Sequence, residues 1–416
     1  MVEFESKYTI ILKNTFFLSY FCQMKRVVVG LSGGVDSSVA AYLLQQEGYE
    51  VIGMFMRNWH DESVTLSDDC PWIDDSNDAL LVAQHLGIPF QVIDLSEEYK
   101  ERIVNYMFHE YEQGRTPNPD VLCNREIKFD VFLNAALQLG ADFVATGHYC
   151  RKRINHDGSS SLLSGLDKNK DQSYFLCQVS QDQLAKALFP IGDLEKSEVR
   201  RIASEQGLLT AEKKDSQGLC FVGKISLPEF LQQQLKSKKG DVIEIPFDLV
   251  QLTEYHTIER TSENIEKLVQ PFIFSVDQGQ QVATHQGAHF YTIGQRKGLQ
   301  IGGRPLPSFA VQIDVENNIV FSCQGDDHPA LNRWALKIKQ TAINWIQFPK
   351  WAQNDEFEVE IDARIRYRQP LQKAKLIKKN NQFFMLFNKL QRGITPGQFA
   401  AWYIAEELIG SGVIES

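Results

Sequence analysis

The chain has 416 residues, 43% of them hydrophobic, and a formal net charge of -10. This length indicates two or three domains, and the composition is typical of a soluble globular protein with substantial cores. The acidic balance argues against a uniformly basic nucleic-acid-binding protein and leaves room for a local basic surface. No stretch is apolar over the length of a transmembrane helix, so we expect no membrane partner.

Residues 1–23 form no regular pattern, because Lys13 and Asn14 interrupt their apolar residues. We interpret Met24 as the start of the protein and residues 1–23 as a spurious or disordered extension. A weak targeting peptide is the alternative, although no small-residue cleavage site follows cleanly.

Seven cysteines are scattered over the chain: Cys22, Cys70, Cys123, Cys150, Cys177, Cys220 and Cys323. An odd number without regular spacing indicates a reducing compartment with one or two functional thiols, not a disulfide framework. We therefore expect a cytoplasmic protein.

A glycine turn follows the first predicted strand. Three valines beginning at Val27 predict a buried parallel strand, and a helical pattern starts at Asp36. Between them, Gly33 and Gly34 let the backbone turn sharply and approach a ligand closely. A strand, a glycine turn and a helix N-terminus flanked by hydroxyl groups form an anion site from free N–H groups and the helix dipole.

The turn itself, Ser32-Gly33-Gly34-Val35-Asp36-Ser37-Ser38, resembles the PP-loop of ATP pyrophosphatases. These enzymes split ATP into AMP and pyrophosphate while adenylating an oxygen atom. The turn is not a Walker A loop, which needs a lysine followed by a hydroxyl residue. An ordinary glycine-rich turn is the alternative, and seven residues in register after a hydrophobic strand argue against it.

Strands and helices alternate over the first part of the chain. We predict strands at 51–56, 90–93 and 143–146, and helices at 74–86, 97–111 and 127–139. Repeated strand–helix units indicate a Rossmann-like parallel sheet with helices on both faces. Ligands on such sheets bind beyond the carboxyl ends of the strands, where we expect Ser32, Met56 and Gly147.

Two cysteines lie in predicted loops. In the segment 114–129, Pro117 and Pro119 keep the backbone extended, and Asp120 comes three residues before Cys123 at the entrance of a helix. A helix N-terminus favours the reactive thiolate. The alternatives are a small buried hydrophobe for Cys123 and an N-cap for Asp120.

The second cysteine loop is the segment 215–223, in which turn residues flank Cys220. A glycine-containing loop can expose the thiol, and a core cysteine is again the alternative. Two loop cysteines on a chain with an ATP-binding turn suggest thiol chemistry coupled to ATP.

The helical periodicity of apolar residues becomes weak after residue 240. Strand-like patterns at 241–245 and 289–293 and a Gly- and Pro-rich stretch at 298–307 suggest a small central domain. Short strands then recur at 309–313, 319–322, 336–343, 357–366, 374–377, 383–387 and 400–404. Regular short strands with turn signals suggest a small β-barrel.

We divide the chain accordingly. The proposed parts are an extension at 1–23, a PP-loop catalytic domain at 24–217, a central domain at 218–307 and a C-terminal β-barrel at 308–416. Within the central domain, the stretch near 246–282 is interpreted as a surface insertion without an assigned role.

The predicted barrel is locally basic. Nine positive residues and no acidic residue lie between Arg364 and Ala405. Arg364, Arg366 and Arg368 alternate, so on a strand they share one face. Such a face can track phosphates, with Tyr367 as an aromatic neighbour, and a solvated sheet surface is the alternative.

Nine motifs, in order from about Met24 to the C-terminus, resemble the family of tRNA-specific 2-thiouridylases. They are the PP-loop and the segments 55–59, 114–129, 145–149, 169–175, 215–223, 285–287, 294–298 and 395–398. The two cysteine-bearing segments are more specific than the PP-loop, which many enzymes share. The resemblance implies an N-terminal domain like the adenine nucleotide alpha hydrolases.

The resemblance also implies a reaction. ATP with Mg2+ adenylates the 2-carbonyl oxygen of the wobble uridine in tRNA, a persulfide on Cys220 supplies sulfur, and Cys123 attacks or assists, with a transient disulfide between the two. Asp120 is the implied general acid or base. The sulfur comes from a donor protein fed by a cysteine desulfurase, and no protein metal site is expected.

The implied binding residues fall into two sets. Those for ATP are Gly30, Leu31, Ser32, Gly33, Gly34, Val35, Asp36, Ser37, Met56 and Gly147. Those for tRNA are Asn118, Pro119 and Asp120 at the target base and His148, Lys170, Asp171, Gln172, Arg366, Tyr367 and Gln398 elsewhere.

Two other functions stay open at this stage. A PP-loop synthetase that adenylates a carboxylate would leave Cys123 and Cys220 without a role. A non-catalytic, nucleotide-dependent RNA-binding protein would tolerate the loss of both cysteines.

Overall fold

The computed structural model describes residues 24–58, 71–214 and 227–416. The predicted extension at 1–23 and the loop 215–223 with Cys220 lie outside the described residues. Within these ranges, no helix combines the length and the apolar character needed to cross a membrane.

The N-terminal part alternates strands and helices as predicted. Its first elements are β1 (Arg26–Gly30), α1 (Val35–Gln46), β2 (Glu50–Arg57), α2 (Pro71–Leu86), β3 (Phe90–Asp94), α3 (Ser96–Tyr99), α4 (Asn105–Glu112), α5 (Pro119–Leu122), α6 (Phe132–Gln138) and β4 (Phe143–Ala145). There follow β5 (Cys150–Ile154), β6 (Ser160–Ser164), α7 (Gln181–Lys186), β7 (Ala187–Leu188), α8 (Lys196–Glu205) and α9 (Leu227–Leu231).

Two long helices contain π-helical segments. Lys100–Val104 joins α3 to α4, and Cys123–Val131 joins α5 to α6, so each set forms one continuous helix. The second helix starts earlier than the predicted residue 127. Asn118 caps it by accepting a hydrogen bond from the Val121 N–H, and Pro119 occupies its first turn.

The first sheet is parallel throughout, with the strand order β3-β2-β1-β4-β7. The three valines of β1 are completely buried, as their β-branched run predicts. From β1 the chain adds strands on one side and later returns to add β4 on the other. The carboxyl ends of β1 and β4 therefore form a topological switch point, where ligands bind in sheets of this type.

The second sheet contains four strands in the order β10-β11-β8-β9. Its part of the chain comprises β8 (Gly240–Glu244), α10 (Val250–Thr257), α11 (Ile265–Leu268), β9 (Gln280–His285), β10 (Ser308–Asp314) and β11 (Ile319–Gln324). The predicted strand at 289–293 is wrong. A 3-10 turn, Ala288–Phe290, follows Gly287, whose φ of 146° breaks the extended backbone.

The third sheet is antiparallel and has nine strands. Its C-terminal members are β12 (Asn332–Ile338), β13 (Asn344–Trp345), β14 (Phe357–Arg364), β15 (Gln372–Lys379), β16 (Gln382–Arg392), β17 (Phe399–Ile404) and β18 (Glu407–Val413). The hairpin of β5 and β6 extends this sheet by pairing with β18. The N-terminal and C-terminal parts of the chain are therefore joined by a shared sheet.

Two predicted features of the central part can be compared with the structure. The division of the chain at 307/308 stays a prediction, and β10 and β11 pair with the central strands and not with the third sheet. The stretch 246–282 contains α10 and α11, and the buried residues Ile265 and Leu268 of α11 lie in one cluster with Phe384 and Leu386 of β16. The stretch therefore packs against the third sheet, and its interpretation as an insertion stays a prediction.

Candidate active site

The PP-loop lies between β1 and α1. The Ser37 hydroxyl accepts a hydrogen bond from the Ser32 N–H at 3.2 Å and donates one to the Gly34 carbonyl at 3.1 Å. Gly34 is the N-cap and has no side chain with which to cap α1. The first N–H groups of this twelve-residue helix can therefore bind phosphate oxygens.

Glycine is required on both sides of this loop. Gly33 has a φ of 70°, and an added Cβ would lie 2.2 Å from the carbonyl oxygen of Asp75. A Cβ on Gly147 would lie 2.7 Å from the Ser37 nitrogen. The loop is thus held between the start of α2 and the residues that follow β4.

The residues predicted for ATP converge at this edge of the sheet. The Met56 Cε atom lies 3.5 Å from the position of a Cβ on Gly30, and Gly147 packs on the first turn of α1. The carboxyl ends of β1, β2 and β4 thus meet around one loop.

Lys196 and Tyr149 hold Asp36, a contact that the sequence did not reveal. The Lys196 Nζ atom lies 2.7 and 2.9 Å from the two Asp36 carboxylate oxygens, and the Tyr149 hydroxyl donates to one of them at 2.7 Å. These groups hold Asp36 in place. Within the described ranges, there is no group of three or more His, Cys, Asp or Glu residues suited to a metal ion.

Cys123 opens the π-helical segment Cys123–Val131 and is fully buried. Phe132, on the same continuous helix, has a ring carbon 3.7 Å from the position of a Cβ on Gly30. The helix that carries the predicted nucleophile therefore packs directly against the end of β1.

Three further cysteines of the described residues are also buried. Burial raises the pKa of the Cys177 and Cys323 thiols to about 12, and it raises the pKa of Cys150 well above its ordinary value. These thiols stay protonated at neutral pH, so they are poor nucleophiles. None of the three was assigned a catalytic role from the sequence.

A clamp from the C-terminal sheet fixes the loop before Cys123. The Gln398 side chain donates to the Thr116 and Pro117 carbonyls at 2.9 and 3.1 Å and accepts from the Asn118 amide at 3.2 Å. The Thr116 N–H also donates to the Pro396 carbonyl at 2.9 Å. Two sets of predicted tRNA-binding residues, 118–120 and Gln398, are thereby brought together.

Asn124 is a neighbour of this site that sequence analysis missed. Its Nδ2 atom donates to the carbonyls of Asp120 at 3.0 Å and Phe175 at 3.1 Å. It therefore links the turn that carries Asp120 and Cys123 to the segment after Gln172. Its position directly after Cys123 in the sequence was the signal that could have identified it.

The segment that carries Cys220 is bounded by two anchored ends. Before it, Lys213 donates to the Asp75 carboxylate at 2.8 Å, next to Gly33. After it, the Phe230 ring stacks on Phe108 of α4 with centroids 5.4 Å apart. The described ends thus lie beside the PP-loop and in the core that contains Cys123.

His148 and Asp171, both predicted to contact tRNA, are buried. His148 is 8% exposed, its Nδ1 lies 2.7 Å from the Thr146 hydroxyl, and burial holds its pKa well below the ordinary value. Asp171 is 4% exposed and pairs with Arg364 at 2.9 Å. These two side chains therefore contact neighbouring residues of the protein. Lys170 and Gln172, by contrast, are only half-buried.

Arg366 and Tyr367 follow the end of β14. The Tyr367 ring lies 4.2 Å from that of Phe175, and Arg366 donates to the Arg392 carbonyl at 3.1 Å. The ring contact between Tyr367 and Phe175 connects the end of β14 to the helical segment that follows Gln172.

The prediction of an uncompensated basic strand face is wrong. β14 ends at Arg364, so Arg366 and Arg368 do not lie on a strand. On β15, Lys373 pairs with Asp362 at 2.9 Å and Lys375 with Glu358 at 2.6 Å. The acidic residues of β14 neutralise part of the charge because antiparallel pairing places Asp362 opposite Lys373 and Glu358 diagonal to Lys375.

Three family models match the chain. They are described as tRNA methyl transferase HUP domain at residues 25–224, tRNA methyl transferase PRC-barrel domain at 264–324 and Aminomethyltransferase beta-barrel domain at 336–414. Together with the three sheets, they confirm the predicted fold class of an α/β PP-loop domain, a small central domain and a C-terminal β-barrel.

Relatives match almost the whole chain. The tRNA-specific 2-thiouridylase MnmA of Christiangramia forsetii is 60% identical over 395 residues, which cover 94% of this chain and 100% of that protein. The protein of the same name from Flavobacterium johnsoniae is 58% identical, with the same coverage. Among solved structures, NMN synthetase from Francisella tularensis is 16% identical and covers 49% of this chain and 70% of its own, but its TM-score of 0.30 supports no argument. On the strength of the full-length relatives, the chain belongs to the tRNA-specific 2-thiouridylase family.

Proposed function

We propose that this chain replaces the oxygen at C2 of the wobble uridine of tRNA with sulfur, using ATP. Membership of the 2-thiouridylase family supports this function. The observation that carries it is the packing of the Cys123 helix against the end of β1, where the PP-loop begins. A nucleotide site and a cysteine-bearing helix that packs beside it can act on one substrate atom.

ATP binds with its phosphates on the N-terminus of α1, in contact with residues 30–37, and with the rest of the nucleotide near Met56 and Gly147. The phosphates of ATP would hold Mg2+, because this ion usually keeps few protein ligands. When bound, it neutralises the charge that develops on pyrophosphate. Asp36, held by Lys196 and Tyr149, keeps the first turn of α1 in position.

Adenylation activates the uridine. The O2 atom of the base attacks the α-phosphorus of ATP, pyrophosphate leaves with the electron pair of the broken P–O bond, and O2 becomes bonded to AMP. A carbonyl oxygen is a poor leaving group, whereas AMP is a good one. Asn118 and Pro119 contact the base, and Asp120 accepts or donates the proton that this exchange moves.

Sulfur transfer then proceeds through a persulfide on Cys220. Its terminal sulfur attacks C2, and AMP leaves with the original oxygen. The Cys123 thiolate attacks the inner sulfur of Cys220, so the S–S bond breaks, C2 retains the terminal sulfur, and a Cys123–Cys220 disulfide forms. A thiol reductant regenerates the two cysteines, and a donor protein fed by a cysteine desulfurase reloads Cys220.

The remaining predicted residues bind tRNA or support the residues that do. Gln398 holds the base-binding loop, Lys170, Gln172, Arg366 and Tyr367 contact the RNA, and His148 and Asp171 support them from buried positions. The reaction takes place in the cytoplasm, where reducing conditions keep scattered thiols free of disulfides.

The test uses purified protein, tRNA with an unmodified wobble uridine, Mg-ATP and a persulfide donor. Mass spectrometry of the digested nucleosides is expected to find 2-thiouridine, formed together with an equal amount of AMP. Cys220→Ala and Cys123→Ala abolish the product, and the matched control Cys177→Ala retains it. Production of AMP with unchanged uridine would instead favour a synthetase that adenylates a carboxylate.

A further inference from the structure

Two acid-free stretches of the chain meet beside the candidate active site. Residues 278–313 and 364–405 contain no Asp or Glu. They come together where the Cα of Gly294 lies 3.2 Å from the position of a Cβ on Gly393. The Arg366 guanidinium lies at the same junction, 3.4 Å from the position of a Cβ on Gly294. A positive surface is thus assembled from the central and C-terminal parts.

The turn at 294–298 presents two cations on this surface. Arg296 and Lys297 are exposed, and among the described residues neither side chain has an acidic or hydrogen-bonding partner. Arg304, a few residues later, is different because it pairs with Glu244 at 3.3 Å. The two unpaired cations are therefore available to a ligand that supplies negative charge.

The backbone of this turn is firmly held. The Gly294 N–H donates to the Ala310 carbonyl at 2.8 Å, and the Ala310 N–H donates to the Gln295 carbonyl at 3.0 Å. The Gln295 side chain donates to the Lys297 carbonyl at 2.8 Å, and the Tyr291 hydroxyl donates to the Gly298 carbonyl at 3.2 Å. A fixed turn presents its side chains at a lower entropic cost than a flexible loop.

The turn is also close to the proposed base-binding loop. The Thr292 hydroxyl lies 3.0 Å from that of Thr116, two residues before Asn118. The Thr395 hydroxyl donates to the Ile293 carbonyl at 3.3 Å, close to Gln398. Four residues of chain span at most about 14 Å, so Arg296 lies within that distance of the contact with the loop.

We propose that the turn at 294–298 is a further RNA-backbone site, in which Arg296 and Lys297 bind phosphates of the strand next to the nucleotide at Asn118. This inference rests on the proposed function, which brings a polyanion to this junction. Phosphates are the fitting ligand because the two stretches combine unpaired cations with Arg366 and themselves contain no acidic residue. It extends the tRNA interface to the central part of the chain, for which the sequence predicted no binding residue.

The test measures tRNA binding to the full-length protein without ATP or a sulfur source, as a function of salt concentration. Each phosphate contact contributes about 0.7 to 0.9 to the slope of log K against log salt. The double variant Arg296→Ala/Lys297→Ala is expected to lower the magnitude of this slope by about 1.4 to 1.8. In thiolation assays, the KM for tRNA rises while kcat is retained, and Arg296→Lys/Lys297→Arg keeps the salt slope and the KM at their wild-type values.

The matched control is Lys373→Ala/Lys375→Ala, which removes two cations that are already paired with Asp362 and Glu358. An unchanged salt slope in the Arg296/Lys297 variant, or an equal change in the control, overturns the inference even if the enzyme thiolates tRNA. Absence of tRNA binding by the wild-type protein overturns it as well. Normal tRNA binding without thiolation by the wild type counts against the proposed function alone, and the slope still decides the role of the turn.

Discussion

At the scale of single residues, close contacts around the PP-loop leave little room for substitution. Gly147 packs on the first turn of α1, and Gly33 packs on the backbone of Asp75. Asp36 is held by Lys196 and Tyr149. Each contact fixes the N–H groups that we propose to bind phosphate. Small substitutions here should therefore lower the rate of ATP cleavage more than they lower the stability of the fold.

Gly147→Ala tests this account. Its Cβ would lie 2.7 Å from both the Ser37 nitrogen and the Asp36 carbonyl carbon, so the loop must shift. A displacement of about 1 Å in a positioning element can cost about 100-fold in rate. We expect a loss of that order in tRNA-dependent AMP formation, measured by chromatography. Gly302→Ala is the control, because nothing lies within 4 Å of its Cβ position, and equal activity of the two variants would contradict the account.

The Arg364–Asp171 pair is buried, with side-chain exposures of 9% and 2%. Arg364→Met leaves a buried carboxylate without its cation, so we expect the free energy of unfolding to fall by about 3 to 5 kcal/mol. Denaturant titration measures this change. Lys373→Met removes one partner of an exposed pair, whose lysine is 71% exposed, and should cost less than about 1 kcal/mol. Similar losses in both variants would show that Arg364 is not a structural cation.

His148 gives the stability a pH dependence. Its folded pKa is lowered by burial, so the unfolded chain takes up a proton below about pH 6.5 that the folded chain resists. Above that pH this proton does not reduce the free energy of unfolding, and as the pH falls below it the free energy of unfolding decreases progressively. We expect His148→Gln to lose less unfolding free energy than the wild type between about pH 7 and pH 5 in denaturant titrations.

The exposed residue His156 is the control for this experiment. His156→Gln should follow the wild-type pH dependence. If His148→Gln also follows it, the imidazole does not titrate differently in the folded and unfolded chains.

At the scale of elements, the sequence predicted those strands and helices whose pattern is carried by their own residues. The valines of β1 and the turn signals between the later short strands were sufficient. β18 was missed because Gly410 and Gly412 interrupt its pattern. A Cβ at these positions would lie 2.6 Å from the Asn344 carbonyl oxygen and 2.3 Å from Ile338, so glycine is required by packing that the local sequence does not reveal.

The connection at 246–282 gives a test at this scale. The buried Tyr255 hydroxyl donates to the Leu268 carbonyl at 3.0 Å and accepts from the Trp334 N–H at 2.9 Å, so it joins α10 and α11 to β12. Tyr255→Phe leaves both backbone groups without this partner and should cost about 1 to 3 kcal/mol for each buried group. Tyr42→Phe, at a half-buried position without a side-chain hydrogen bond among the described residues, is the control in thermal or denaturant unfolding. A stability equal to that of the control would mean that the connection does not brace the C-terminal sheet.

At the scale of the whole molecule, the candidate site is assembled from the parts of the chain that form the first and third sheets. Its motifs could be recognised in the sequence, but their contacts could not be derived from it. Asn118 meets Gln398 across 280 positions, and Lys196 meets Asp36 across 160. Pairing of β15 with β14 likewise neutralises lysines that look uncompensated in the sequence. Long-range pairing depends on how the sheets pack, which local patterns do not specify.

The central claim is that ATP activates the C2 oxygen of a tRNA uridine before sulfur replaces it. The most direct measurement uses tRNA whose wobble uridine carries a heavy oxygen isotope at O2, incubated with the protein, Mg-ATP and a persulfide donor. The account predicts that mass spectrometry finds the label in the phosphate of AMP, in the same amount as the 2-thiouridine formed. Unlabelled AMP, or label retained in the uridine while ATP is cleaved, would contradict it.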